Sequence, residues 1–146
     1  MAPTLFTIGY ETLLPEPLVY ELTAAGVQRV IDVRFRPQSR RPGMSKTRLG
    51  DLLAEHGIRY EHRRALGTPA DLRVLYRAGR VAEAHAAFAA HVEAQSADAL
   101  DALAAELPTA PATALLCLEA DPLVCHRSVL VDRLRTRMDG LEVIGL

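Results

Sequence analysis

The sequence predicts an α/β fold: one domain spanning residues 1–146, a sandwich with a largely parallel sheet flanked by helices. Three observations predict it. A strand, a helix and a second strand follow one another between Leu5 and Val33, which is the βαβ unit that forces parallel pairing. A second apolar run, Thr113–Glu119, passes through an Asp121-Pro122 turn into an amphipathic stretch that continues to Met138. The 146 residues are 49% hydrophobic and 24% charged, enough to close one core without disulfides or metal staples.

Leu5–Ile8 is β-rich and ends at Gly9-Tyr10. Glu16–Ala25 carries Leu18, Val19, Leu22 and Ala25 at helical spacing, with proline at its start and Gly26 as its stop. Arg29–Val33 is a compact β-branched run ending at Arg34. Phe35–Met44 is an irregular Pro- and Arg-rich loop, after which Ser45 is placed to cap a helix running to His56. Ile58–His62 alternates as a short strand, antiparallel or at an edge, and Arg63–Pro69 is a loop. Ala70–Glu106 is Ala-rich and helical, in three pieces broken near Gly79 and Ser96–Asp98; Leu72, Leu75, Tyr76, Phe88 and Leu103 read as core, and His85 and His91 as structural or exposed. After Pro108–Pro111, Thr113–Glu119 is the buried strand, its helix follows, and Leu141–Ile144 closes the chain as a terminal strand.

No apolar run approaches the roughly 20 residues that span a bilayer. The start of the chain lacks the basic flank and apolar segment of a signal peptide, so a cytoplasmic location is expected. Cys117 and Cys125 are then expected as free thiols. Net charge is −1, but residues 29–64 hold ten Arg/Lys against four acids, while the rest holds seven basic against fourteen acidic residues. A basic segment on an acidic body points to one local anion site rather than a general polyelectrolyte binder. The Ala-rich helices also leave a homo-oligomer open.

In a parallel sheet, ligands bind at the carboxyl ends of the strands. Those ends carry Gly9 and Tyr10, then Asp32 and Arg34, then Tyr60 and His62, then Cys117 and Glu119. Cys125-His126-Arg127 opens the last long helix, where unpaired N–H groups and partial positive charge favour a thiolate or a bound anion. Cys125 is thus a candidate nucleophile, His126 and Arg127 its neighbours, and Glu119 either a catalytic carboxylate or an ion-pair partner of Arg34 or Arg127. Among arginines, Glu119 is expected to have a lowered pKa. An arginine directly after Cys-His does not give the phosphatase loop, in which five residues separate cysteine and arginine. Cys117, Glu119, Cys125 and His126 are also metal-ligand types, but their spacing matches no common zinc pattern and no metal ligand is assigned. The loop from Arg34 to Lys46 contributes Arg34, Arg36, Arg40 and Lys46 as candidate anion ligands beside Ser39, with Arg127 as a fifth from the last long helix; arginine forks match phosphate oxygens. Tyr10, Phe35 and Tyr60 are the aromatics available for base stacking.

Thr7-Ile8-Gly9-Tyr10, Ile31-Asp32-Val33-Arg34, Pro37, Ser39, Arg40, Pro42-Gly43, Ser45-Lys46, Tyr60, Leu66-Gly67, Leu116-Cys117, Glu119 and Cys125-His126-Arg127 together resemble the bacterial and archaeal "domain of unknown function 488" family. The resemblance runs from Thr7 to about Leu134. It implies a single-domain α/β fold with a pocket shared by these motifs, and it assigns no reaction and no cofactor. Three readings stay open. The first is an enzyme-like domain holding a phosphate-bearing small molecule, nucleotide or nucleic acid, with Cys125, Glu119 and His126 acting on it. The second is a non-catalytic nucleic-acid or anion-binding module. The third is a Cys/His metal-binding or redox-sensing domain.

Overall fold

The computed structural model describes residues 2–146. Five strands, β1 (Thr4–Gly9), β2 (Arg29–Asp32), β3 (Arg59–His62), β4 (Thr113–Cys117) and β5 (Glu142–Gly145), form one sheet in the order β3-β2-β4-β1-β5. Every neighbouring pair is parallel. The third strand is therefore an edge strand but not an antiparallel one. It repeats the direction of β2, as a short helical crossover requires.

Six helices link the strands: α1 (Pro15–Ala24), α2 (Lys46–Glu55), α3 (Ala70–Arg77), α4 (Val81–Gln95), α5 (Ala97–Glu106) and α6 (Arg127–Arg135). The central strands β2 and β4 are buried along their whole length, so neither shows an apolar/polar alternation; in β2 the charged ends Arg29 and Asp32 are buried with Val30 and Ile31. Side-chain alternation then sorts the core into two halves. Ile8, Val30, Ala114 and Leu116 meet Leu18 and Leu22 of α1 and Leu49 and Leu53 of α2 on one face. Leu5, Ile31, Leu115 and Cys117 meet Phe88 and Val92 of α4, Leu100 and Leu103 of α5, and Leu130 and Leu134 of α6 on the other. The result is a three-layer sandwich.

Local details depart from the sequence expectation in three places. Ser45 occupies the N-cap of α2, but its hydroxyl does not cap the helix: it accepts from the Ser39 N–H and donates to the Ser39 carbonyl, tying off the basic loop instead. The last long helix begins at Arg127, with His126 as N-cap, and a separate 3-10 turn occupies Pro122–Val124. Helix α3 has no fully buried residue, so Leu72, Leu75 and Tyr76 are only partly covered rather than core. The register sets Gly9 beside Cys117 and Asp32 beside Leu116, so β1, β2 and β4 end level at one edge of the sheet.

Candidate functional site

The level strand ends meet through a backbone contact that tolerates only glycine. An added Cβ on Gly9 would lie 1.8 Å from the carbonyl oxygen of Glu119. Tyr10 N–H then donates to the Cys117 carbonyl and Glu11 N–H to that of Leu118. The segment after β4 is thus strapped onto the end of β1, which fixes Glu119 at the sheet edge.

Behind this seam lies a closed polar knot. Asp32 is fully buried and receives Arg34 Nε at 2.9 and 3.0 Å, Arg34 Nη2 at 2.7 Å and the hydroxyl of Tyr60. Arg34 Nη1 donates to Tyr10 Oη at 3.1 Å and to the Met44 carbonyl at 2.8 Å. Of five guanidinium N–H groups only one Nη2 proton stays uncommitted. Burial disfavours the Arg34 cation, but Asp32 more than compensates and raises its pKa above the ordinary arginine value. Burial and the Asp32 charge likewise push the Tyr60 phenol up. Tyr60 therefore serves the knot, and its ring does not line the cavity in front of it.

That cavity, of about 370 Å³, opens over the strand ends. Tyr10, Arg34, Phe35, Arg36, Cys117, Glu119 and His126 line it from the sheet side. Thr68, Arg73, Tyr76 and Arg77 line it from the loop before α3 and from α3 itself. These four were not among the residues expected from sequence. The signal that points to them is an arginine pair at i and i+4, which shares one helix face, with no acid on that face. Gly67 presses on the Phe35 backbone, where a Cβ would come within 2.5 Å, and this contact brings the Thr68 loop over the basic one. Tyr76 Oη meets His85 Nδ1 at 2.7 Å while His85 Nε2–H donates to the Leu123 carbonyl, pinning α3 to the 3-10 turn.

The cationic side of the cavity is unbalanced. Arg36, Arg73 and Arg77 take part in no ion pair among the described residues. Burial lowers the Arg73 pKa, and repulsion from Arg77 and Arg36 lowers it further. Arg73 Nε and Thr68 Oγ1 are buried and have no hydrogen-bond partner among the described residues.

The opposite wall holds the thiols. Cys117 and Cys125 are buried and unbridged. Cys125 Sγ lies 3.7 Å from His126 Nδ1, and His126 Nε2 lies 2.9 Å from the Val33 carbonyl. A carbonyl only accepts, so Nε2 carries a proton, and Nδ1 is the nitrogen turned towards the Cys125 sulfur. Burial opposes a Cys125 thiolate, yet a hydrogen bond from Cys117, the His126 charge and the Arg127 N–H together bring its pKa well below the ordinary thiol value. Burial and the neighbouring Cys125 raise Cys117 instead. Burial also works against the His126 cation, and Cys125 outweighs it to raise that pKa. Cys125 sits behind Cys117 and His126 and does not itself line the cavity.

Glu119 departs from the expectation of an arginine-paired, acidic carboxyl. No cation pairs with it among the described residues, and burial, followed by the Cys125 charge, raises its pKa. The reason is that both candidate partners are engaged elsewhere. Arg34 is spent on Asp32, and Arg127 turns Nη2 onto the backbone carbonyls of Glu119 (2.6 Å) and Ala120 (3.1 Å). Arg127 is 1% exposed and clamps this loop from behind; its Nε and Nη1 are buried without partners. Ser39, Arg40 and Lys46 do not reach the cavity. They line a neighbouring, more open groove with Arg41 and Arg48, joined to the cavity through Gln38.

Among the described residues, no helix is long and apolar enough to cross a membrane. No curated protein and no solved structure matches the chain. The sequence profile of the family described as Domain of unknown function DUF488 matches residues 16–134, a span that takes in the Asp32–Arg34 knot, the cavity arginines and the thiol cluster. The chain belongs to the DUF488 family.

Proposed function

We propose that the cavity over the strand ends binds a small phosphate-bearing molecule, with Glu119 and His126 on its wall and Cys125 acting only through them from behind. One observation carries the reading. Arg36, Arg73 and Arg77 converge on one concavity and form no ion pair among the described residues, and two of the buried donors there, Arg73 Nε and Thr68 Oγ1, lack a partner. A buried polar group without a partner costs about 1–3 kcal/mol, and a phosphate oxygen supplies the acceptor that both donors need. The volume suits a ligand of metabolite size rather than a strand of nucleic acid. Glu119, protonated further up the pH scale than an ordinary carboxyl, suits a proton donor at the edge of such a site.

Titration calorimetry with inorganic phosphate and with nucleoside mono- and diphosphates tests the reading. Arg73→Ala with Arg77→Ala is expected to weaken binding at least tenfold, about 1.4 kcal/mol. Unchanged affinity in that variant, or no affinity for any phosphate ligand, overturns it. The open groove beside the cavity favours one alternative, an oligonucleotide whose backbone runs along Arg40, Arg41, Lys46 and Arg48. That ligand would show a salt slope rising with each phosphate contacted and would lose affinity on Lys46→Ala, whereas the small ligand would not.

A further inference from the structure

We propose that Cys117, Cys125 and His126 form a site for one zinc ion at the floor of the arginine-lined cavity. Cys117 Sγ, Cys125 Sγ and a ring nitrogen of His126 all lie within 4.8 Å of one another. Zinc–sulfur bonds of about 2.3 Å and zinc–nitrogen bonds of about 2.0 Å at tetrahedral angles separate the two ligand atoms by roughly 3.6 Å. Cys125 Sγ and His126 Nδ1 stand at 3.7 Å, so they need no rearrangement to share an ion.

Two further features fit a metal. His126 Nε2–H is held by the Val33 carbonyl, which orients the ring and leaves Nδ1 as the donor, the arrangement that metal-bound histidines use. Arg127 is a buried cation with, among the described residues, no acidic partner and two unpartnered nitrogens beside this cluster. Two thiolates and one Zn²⁺ are neutral together, and a hydroxide or bound anion in the fourth position brings the centre to a negative charge that Arg127 offsets. Soft sulfur with imidazole selects zinc over magnesium or calcium, and tetrahedral S₂N geometry selects it over a tetragonal copper(II) site.

Three protein ligands leave a fourth position, the pattern of a reactive rather than a purely structural zinc. Cys117 and His126 line the cavity, so that position faces it, with Glu119 Oε2 3.7 Å from Cys117 Sγ. The assignment deepens the proposed function: it rests on that reading only for the identity of the ligand, and the metal site stands without it. The sequence spacing hid the site because its ligands come from a strand and from a helix N-cap separated by a folded loop, not from a short Cys-x-x-Cys pair.

Metal analysis of the full chain, and cobalt(II) titration of the chelator-treated full chain, test the proposal. One equivalent of zinc is expected, with one equivalent of cobalt giving the intense visible bands of a tetrahedral centre and sulfur-to-cobalt charge transfer. Cys117→Ser and His126→Asn should each lower metal affinity at least 100-fold, while Glu119→Gln retains the metal; circular dichroism checks that each remains folded. Wild-type protein that is folded, titrates two free thiols, and takes up neither zinc nor cobalt overturns the site. So does a cobalt spectrum unaltered by Cys117→Ser. Arg73→Ala with Arg77→Ala should leave metal content untouched, so loss of the anion reading and loss of the metal site are separate results.

Discussion

Two sets of arginines divide this molecule. Arg29, Arg34 and Arg63 are paired: Arg34 with Asp32, Arg29 and Arg63 with Glu106, and Arg63 also with Glu61. Arg36, Arg73 and Arg77 surround a cavity and pair with nothing among the described residues. The same side chain therefore performs two jobs. A guanidinium whose donors are consumed by carboxylates holds strands together, whereas one whose donors stay open stores recognition at the expense of stability. Substitutions in the first set should unfold the protein; those in the second should spare the fold and remove binding.

The largest expected effect breaks the paired set at its centre. Asp32→Asn keeps the shape of the side chain but strands the buried Arg34 charge and weakens its bond with Tyr60. Leaving one partner of a buried pair uncompensated costs about 3–5 kcal/mol. Urea unfolding should show that loss, and a change under 1 kcal/mol would mean that Arg34 finds a new partner. Gly9→Ala comes next. Its Cβ would overlap the Glu119 carbonyl, and backbone on backbone cannot swing away, so about 1–3 kcal/mol should be lost. Because Glu119 rides on this seam, the same variant should also impair phosphate binding, which sharpens the contrast by showing where frame and site share an atom.

Glu106 sets the scale for a more exposed pair. Arg63, then Arg29, hold its carboxyl down at about 2 despite partial burial. Its side chain is 34% exposed, so solvent screening limits the contribution to about 1 kcal/mol, the loss expected for Glu106→Gln in thermal unfolding at pH 7. The folded pKa lies below the unfolded value of about 4.3, so this stability is present above that value and drains away as pH falls from there towards 2. A variant whose acid unfolding matches the parent would remove Glu106 from the paired set.

Much of this division was hidden in the sequence, and the reasons are physical. The parallel sheet was legible because the β-branched core of Arg29–Asp32 and the apolar run Thr113–Cys117 have helical connections, a pattern set locally. The strand-end position of Tyr10, Cys117 and Glu119 followed from the same reading. What could not be read was which arginine each carboxylate takes. Asp32 claims Arg34 two residues on, and that leaves Glu119 without a cation, reversing the direction expected for its pKa. Arg73 and Arg77 were invisible as site residues because their role depends on α3 folding over the strand ends from a loop seated on Phe35, a contact far apart in the chain. Charge counting sees a basic segment at 29–64 and misses that a second segment completes its cavity.

The smallest expected effect is also the most discriminating. Burial makes the Arg73 charge costly, and repulsion from Arg77 and Arg36 adds to that cost, in line with its lowered pKa. A folded pKa below the unfolded value means that the Arg73 charge costs stability at neutral pH and that neutralising it returns some. Arg73→Gln should therefore leave the protein as stable as the parent or raise stability by a few tenths of a kcal/mol, the scale of exposed charge interactions. The part of the gain that comes from relieved repulsion should shrink as salt rises from 0.01 M to 1 M and the screening length falls from about 30 to 3 Å, while the part that comes from burial stays. Arg34→Gln should behave oppositely and destabilise at every salt concentration, because its partner Asp32 is sealed from the ions. Chemical denaturation of the two variants in urea across that salt range compares them directly. If Arg73→Gln lost stability by the same amount as Arg34→Gln, Arg73 would belong with the arginines that hold the frame, and the cavity would lose its strongest claim to an anion.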